Sequence, residues 1–93
     1  MKEKLKLKND QNDWNVRDSF IEALALYVKT GAKPGDFLTG VLENDLGKAI
    51  KYADGKAEKN LANIFKLIYH TLPIESWGSP AKVQKWEGTN YDV

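Results

Sequence analysis

Apolar residues recur at helical spacing along most of this chain, in segments that glycine and proline separate. The first segment covers residues 13–30 and places its apolar side chains on one face. Asp13 or Asn15 suits the N-cap, because a short polar side chain can accept a free backbone N–H. Gly31 follows the last apolar position, where glycine readily takes the left-handed conformation that ends many helices. The pattern therefore predicts an amphipathic helix over residues 13–30.

Two further helical segments follow across short turns. One covers residues 36–52, where Gly40 and Gly47 each weaken a helix by about 1 kcal/mol relative to alanine. In a continuous helix these two glycines share a face, so we expect a close approach there by another helix or by a second copy of the chain. The next helix follows an N-cap at Asp54 and ends near residue 72. The short connection predicts that these two helices are antiparallel neighbours.

A fourth, short helix is indicated by Ser79 and Pro80, which suit the N-cap and the first helical position. It runs to about residue 86. The sequence therefore predicts an all-α fold, a small bundle of three main helices plus a short C-terminal helix. The predicted organisation is a basic flexible N-terminal arm over residues 1–12, a single helical domain over residues 13–87 and a flexible tail over residues 88–93.

Composition narrows the classes of function. The 14 basic and 13 acidic side chains give a formal net charge of +1, so overall charge does not favour nucleic acid as a partner. DNA binding through the basic arm is the weakest alternative. Cysteine is absent, which excludes disulfides and thiolate chemistry. Apolar stretches fall short of the roughly 20 residues of a membrane span, and the N-terminus lacks the apolar region of a signal peptide.

Catalytic chemistry is poorly supplied. His70 is the only histidine, and no nucleophile or orienting carboxylate stands at a spacing that suits a catalytic pair. Metal-ligand spacings and phosphate-binding glycine loops are also missing from the sequence. We therefore expect a protein that is not an enzyme and that needs no metal and no cofactor.

Binding chemistry is better supplied, around the joint between the third and fourth helices. Tyr69, Trp77 and Trp86 lie close together in sequence there, and aromatic faces beside polar groups suit a planar ligand such as a nucleobase. The structural alternative is that these rings fill the core. Either Asn44 or Asp45 borders an apolar face, and the partner of that side chain is a neighbouring turn, a ligand or a second subunit. Lysines nearby suit phosphates. The candidate ligand-binding residues are Asn44, Lys48, Tyr69, Trp77, Ser79 and Lys82.

A set of short motifs lies between residues 28 and 86: Pro34-Gly35-Asp36-Phe37-Leu38, Val41-Leu42-Glu43-Asn44-Asp45-Leu46, Ala53-Asp54, Asn60, Tyr69 and Trp77-Gly78-Ser79-Pro80. In these motifs the chain resembles a family of small accessory proteins of tailed phages and prophages. The resemblance implies an accessory protein that acts in the cytoplasm of an infected bacterium. Proteins of that class either sequester a host immune signal, often a cyclic nucleotide or an ADP-ribose derivative, or block a host protein.

Two hypotheses of function follow from this resemblance. The first is a non-enzymatic anti-defence protein that binds a small nucleotide-type host signal. The alternative is a protein–protein inhibitor or regulator of a host bacterial protein, with Trp77 and Trp86 as interface anchors. A homo-oligomer is compatible with both.

Overall fold

A computed structural model describes residues 15–89, and all regular secondary structure within that range is helical. The predicted all-α fold is confirmed. None of the helices in the described range is long and apolar enough to cross a membrane. The elements are α1 (Asp18–Thr30), α2 (Asp36–Leu42), α3 (Leu46–Tyr52), α4 (Gly55–Lys59), α5 (Leu61–Thr71), a one-turn 3-10 helix (Ile74–Ser76) and α6 (Pro80–Lys85).

The predicted caps are confirmed at three helix ends. Gly31 ends α1 in the left-handed region, with φ of 82°. Asp54 precedes α4, and its Oδ1 accepts the backbone N–H of Ala57 at 2.7 Å. Ser79 precedes α6, and its Oγ accepts the backbone N–H of Lys82 at 3.2 Å. These short polar side chains therefore fix where two of the helices begin.

The first helix begins later than the sequence predicts. Asn15 has a φ of 56°, which belongs to the left-handed region and is incompatible with the continuous helix predicted from residue 13. Val16 is buried, Arg17 occupies the N-cap position without a side-chain cap, and α1 starts at Asp18. The predicted N-cap at Asn15 is therefore wrong. Residues 1–14, including the basic arm and the alternative cap, lie outside the described residues.

The prediction of one helix over residues 36–52 is wrong, because the chain leaves the helical conformation between α2 and α3. Asn44 has a φ of 62°, in the left-handed region that asparagine tolerates better than most residues. Asp45 then becomes the N-cap of α3, and its Oδ1 accepts the backbone N–H of Lys48 at 3.0 Å. Asn44 and Asp45 thus form the connection between two helices, in keeping with the mildly unfavourable helix propensity of short polar side chains.

Gly40 explains how closely α2 and α3 pack. A β-carbon at Gly40 would lie 2.8 Å from the backbone nitrogen of Ala49, so only glycine fits without a shift of the backbone. The expected close approach is confirmed for Gly40, and α3 of the same chain makes it. Gly47 is exposed, and its β-carbon would meet only Asp45 Oδ1 at 3.8 Å. The predicted common face of Gly40 and Gly47 is wrong because the helix breaks between them.

The third predicted helix is likewise divided, at Asn60, into α4 and α5. Asn60 has a φ of −103° and a ψ of 13°, outside the helical region, although its backbone N–H still reaches the carbonyl of Lys56 at 3.1 Å. The far end matches the prediction, since α5 stops at Thr71, two residues before Pro73.

Hydrogen bonds from aromatic side chains connect α1 to the C-terminal part of the domain. Tyr27 is fully buried, and its hydroxyl donates to the carbonyl of Ser76 at 2.7 Å. Trp86 Nε1 donates to the carbonyl of Tyr27 at 2.9 Å, and the two rings are 6.4 Å apart. Trp86 therefore packs against α1 as part of the scaffold.

The chain after α6 returns to the end of α1. The backbone N–H of Thr89 donates to the carbonyl of Val28 at 3.0 Å, and Gly88 lies against the backbone of Lys29 with a φ of 92°. These two residues, expected at the start of a flexible tail, are held against the helical domain. Residues 90–93 lie outside the described range.

Candidate functional site

Several of the predicted ligand-binding residues make contacts within the domain. The ammonium of Lys48 pairs with Glu43, at 3.3 Å between Nζ and Oε1. The ammonium of Lys82 donates to the carbonyl of Ile74 at 3.3 Å. Ser79 caps α6. The lysines predicted to bind phosphate thus already have oxygen partners in the domain.

Tyr69 and Trp77 meet Phe65 in an aromatic cluster. The centroid of the Phe65 ring lies 5.5 Å from that of Trp77 and 6.3 Å from that of Tyr69, and the Tyr69 and Trp77 centroids are 5.7 Å apart. Trp77 is half-buried, and its Nε1 is buried without an acceptor among the described residues. Tyr69 is 61% exposed. Trp77 therefore belongs mainly to the scaffold, and Tyr69 is the accessible ring of the cluster.

The turn before α6 is fixed to the end of α2. The backbone N–H of Gly78 donates to the carbonyl of Leu42 at 2.7 Å, and Gly78 has a φ of 117° that favours glycine. The turn was one expected partner of Asn44. The turn instead donates its hydrogen bond, from the backbone of Gly78, to the carbonyl of Leu42. The Asn44 side chain makes no hydrogen bond to any described residue.

Asn44 lies at an apolar groove of about 330 Å³. Its lining contains one carboxylate and one side-chain amide but no lysine or arginine, so it offers no cation to a phosphate. The residues of this apolar groove are Gly40, Val41, Asn44, Asp45, Leu46, Ala49, Leu61, Ala62 and Phe65. Chemically the groove suits an apolar side chain.

A second cavity, of about 430 Å³, lies between the start of the described chain and the α4–α5 junction. It combines cationic, amide and aromatic side chains, and we call it the polar cavity. Its lining residues are Asn15, Arg17, Phe20, Lys56, Ala57, Lys59, Asn60 and Ile64. Its volume falls in the range of roughly 300–1,000 Å³ that is typical of small-molecule sites.

Arg17 is held in a defined position at the polar cavity. Its NH1 and NH2 atoms contact the two carboxylate oxygens of Asp54 at 2.9 and 3.0 Å. Its guanidinium carbon lies 4.4 Å from the centroid of the Phe20 ring. The hydrogen bond from Arg17, together with that from the backbone of Ala57, lowers the pKa of Asp54 to about 2. This bidentate pairing keeps both groups charged and orients the guanidinium.

The other two cations of the polar cavity come from α4. Lys56 and Lys59 are exposed, and neither makes an ion pair with a described residue. Together with Arg17 they bring three positive charges against the one negative charge of Asp54, a formal local charge of +2. The polar cavity is therefore suited electrostatically to an anion.

The side-chain amides of Asn15 and Asn60 also line the polar cavity. Asn60 Nδ2 donates to the carbonyl of Asn15 at 3.2 Å, and Asn60 Oδ1 accepts from Asn63 Nδ2 at 2.8 Å. These bonds fix the orientation of the Asn60 amide and join the N-terminal end of the described chain to the α4–α5 junction.

None of the three cations of the polar cavity, Arg17, Lys56 and Lys59, was predicted from the sequence to bind a ligand. Arg17 is 39 residues from Lys56 along the chain, so no local motif joins them. One feature of the sequence could have indicated Arg17 as a binding residue: it is the only arginine in the chain. A guanidinium is the side chain best suited to bidentate contacts with carboxylates and phosphates.

No family model, curated protein or solved structure matches this chain. The resemblance to phage accessory proteins therefore stays a prediction. Within residues 15–89 no group of three or more histidine or carboxylate side chains is placed to hold a metal ion. His70 is exposed, and its ring packs edge-on against Tyr69 at 5.3 Å between centroids.

Proposed function

We propose that this protein is a non-enzymatic phage accessory protein that binds a nucleotide-type host immune signal in the polar cavity, in the cytoplasm of an infected bacterium. One observation supports this most strongly: Arg17, Lys56 and Lys59 line a cavity that also contains the Phe20 ring. Binding and sequestration need no catalytic group, and the role in anti-defence follows from the resemblance to phage proteins.

The chemistry of the polar cavity matches the parts of a nucleotide. Phosphate oxygens pair with guanidinium and ammonium groups, and a formal local charge of +2 balances one or two phosphodiesters. A guanidinium carries more N–H donors than its contact with Asp54 occupies, so Arg17 can bind a phosphate without leaving that carboxylate. Asn60 supplies an amide, and the ring of Phe20 supplies an aromatic surface beside the cations.

A thermal-shift panel tests this function directly. Its ligands are cyclic dinucleotides, cyclic trinucleotides, cyclic ADP-ribose isomers and linear mononucleotides. A ligand present at about 100 times its Kd stabilises the native state by about 2.7 kcal/mol. Since about 1 kcal/mol raises the Tm of a domain of this size by roughly 4–8 °C, we expect a shift of more than 10 °C with a true ligand. No shift with any of them at about 100 µM would contradict the proposal.

Charge-matched variants locate the site. Lys56→Gln/Lys59→Gln removes both exposed lysines of the polar cavity, and Lys66→Gln/Lys85→Gln removes two exposed lysines elsewhere with the same change in net charge. Each exposed contact contributes about 0.2–1 kcal/mol, so we expect the first pair to weaken binding roughly tenfold. An equal loss in the second pair would show that only overall charge matters.

The alternative function, inhibition or regulation of a host protein, is favoured by one feature. Tyr69 is 61% exposed and packs against Phe65 and Trp77, and tyrosine is enriched at binding hot spots. The other predicted anchor, Trp86, donates its indole N–H to Tyr27 within the domain. A pull-down from a bacterial lysate tests this alternative. It would be favoured if the wild type captured one host protein in stoichiometric amount and the Tyr69→Ala variant did not.

A further inference from the structure

Two apolar side chains at or beside the apolar groove, Leu46 and Ile50, are exposed to solvent. Leu46 lies at the start of α3, lines the groove and is 65% exposed. Ile50 follows one turn later on the same helix and is 42% exposed. Residues four positions apart share a helix face, so these two side chains form an exposed apolar stripe beside the groove. No described residue covers this stripe.

We propose that the apolar groove binds a second copy of this chain, in a two-fold symmetric dimer in which Leu46 of each protomer enters the groove of the other. A two-fold interface pairs one surface with itself, so it needs a projection and a complementary recess on the same face. Leu46 provides the projection. The recess lies over Ala62, whose side chain is a single exposed methyl group, and Phe65 forms part of its wall.

The polar groups at the edge of the groove complement one another in the same arrangement. Asp45 accepts one hydrogen bond, from the backbone N–H of Lys48, and has further acceptor capacity. The exposed amide of Asn44 makes no hydrogen bond to a described residue. Across a two-fold axis the amide of each Asn44 can donate to the other protomer's Asp45. The net charge of +1 per chain adds little repulsion between the two protomers.

The proposed dimer leaves the polar cavity accessible. Both sites use α5, but the groove is lined by Leu61, Ala62 and Phe65, whereas the polar cavity is lined by Asn60 and Ile64. Dimerisation therefore does not depend on the proposed ligand, and either proposal can fail without the other.

Sedimentation equilibrium of the purified protein, without added ligand, tests the dimer. Leu46→Asp places a carboxylate in the proposed interface, twice per dimer. Leu26→Asp is the matched control, because Leu26 is 53% exposed on α1 and does not line the groove. We expect a wild-type dimer, a dimer Kd at least about 100-fold higher in Leu46→Asp, and little change in Leu26→Asp. Circular dichroism shows whether each variant is folded.

A cross-linking experiment tests the symmetry. The chain contains no cysteine, so Leu46→Cys and Leu26→Cys each introduce a single thiol. A short bismaleimide is expected to link Leu46→Cys into covalent dimers and to leave Leu26→Cys monomeric. Two results would overturn the proposal: a wild type that is monomeric at about 100 µM, and a dimer that Leu46→Asp does not weaken. Binding of an unrelated helical peptide to a monomeric wild type would assign the groove to a different partner.

Discussion

Alanine is predicted to change the free energy of unfolding in opposite directions at Gly40 and at Gly47, because only Gly40 lies in the contact between α2 and α3. Gly40→Ala adds a β-carbon 2.8 Å from the backbone nitrogen of Ala49 and 3.1 Å from the Cα of that residue. Both atoms belong to the backbone of α3, so the two helices must separate to accommodate the methyl group. Gly47→Ala adds the same group in open space, where the nearest atom is Asp45 Oδ1 at 3.8 Å.

The expected magnitudes follow from these distances. Overpacking costs about 1–3 kcal/mol, and contact with rigid backbone belongs to the upper end of that range. Alanine recovers about 1 kcal/mol of helix propensity, which leaves a net destabilisation of about 2 kcal/mol for Gly40→Ala. Gly47→Ala has no steric cost, so it is expected to raise the free energy of unfolding by about 0.5–1 kcal/mol.

Urea denaturation followed by circular dichroism measures both effects. For a small domain with an m-value of about 1–2 kcal/mol/M, the midpoint of Gly40→Ala is expected to fall by roughly 1–2 M, and that of Gly47→Ala to rise by roughly 0.5 M. Unchanged m-values would show that the shifts in midpoint do not come from a change in the compactness of the denatured state. A Gly40→Ala protein as stable as the wild type would refute the close packing of α2 against α3.

Four further predictions concern single substitutions. Ser79→Ala removes the cap of α6 and is expected to cost about 1 kcal/mol in thermal or urea denaturation, while Gly78→Val is expected to cost more because Gly78 has a φ of 117°. Tyr27→Phe leaves the buried Ser76 carbonyl without its 2.7 Å donor and is expected to cost about 1–3 kcal/mol; unchanged stability would mean that water or another group replaces this bond. Asp54 has a pKa lowered from 3.8 to about 2, so its stabilisation is present above pH 4 and is lost as the pH falls toward 2. Acid titrations should therefore show a smaller loss of stability across that interval in Asp54→Asn than in the wild type, and equal losses would argue against the ion pair.

Local signals in the sequence predicted the helical segments but not the breaks that divide two of them, between α2 and α3 and between α4 and α5. Caps such as Asp54 and Ser79 act within a few residues, so their positions could be read directly. Leu42, Leu46 and Ile50 continue at four-residue spacing across the break, which is why the pattern indicated one helix. The break depends on the left-handed Asn44 and on packing between α2 and α3, which periodicity does not describe.

The polar cavity was beyond the reach of sequence patterns for a related reason. It forms only when the α4–α5 junction meets the chain around Arg17, and the bonds that hold it, Arg17 to Asp54 and Asn60 to Asn15, span 37 and 45 residues. The aromatic residues near Trp77 lie close together in sequence, and for that reason the sequence predicted a site at that turn. Trp86 was included in this cluster, but in the structure its ring packs against Tyr27 on α1.

The position of a bound ligand tests the central proposal most directly. An NMR titration of the 15N-labelled protein with the cyclic dinucleotide or ADP-ribose derivative that gives the largest thermal shift measures it residue by residue. We expect saturable amide shifts concentrated at Asn15, Arg17 and residues 56–60, and a roughly tenfold higher ligand concentration to reach the same shifts in Lys56→Gln/Lys59→Gln. Shifts concentrated instead at residues 69–82, with that variant binding as tightly as the wild type, would contradict the assignment of the polar cavity as the ligand site.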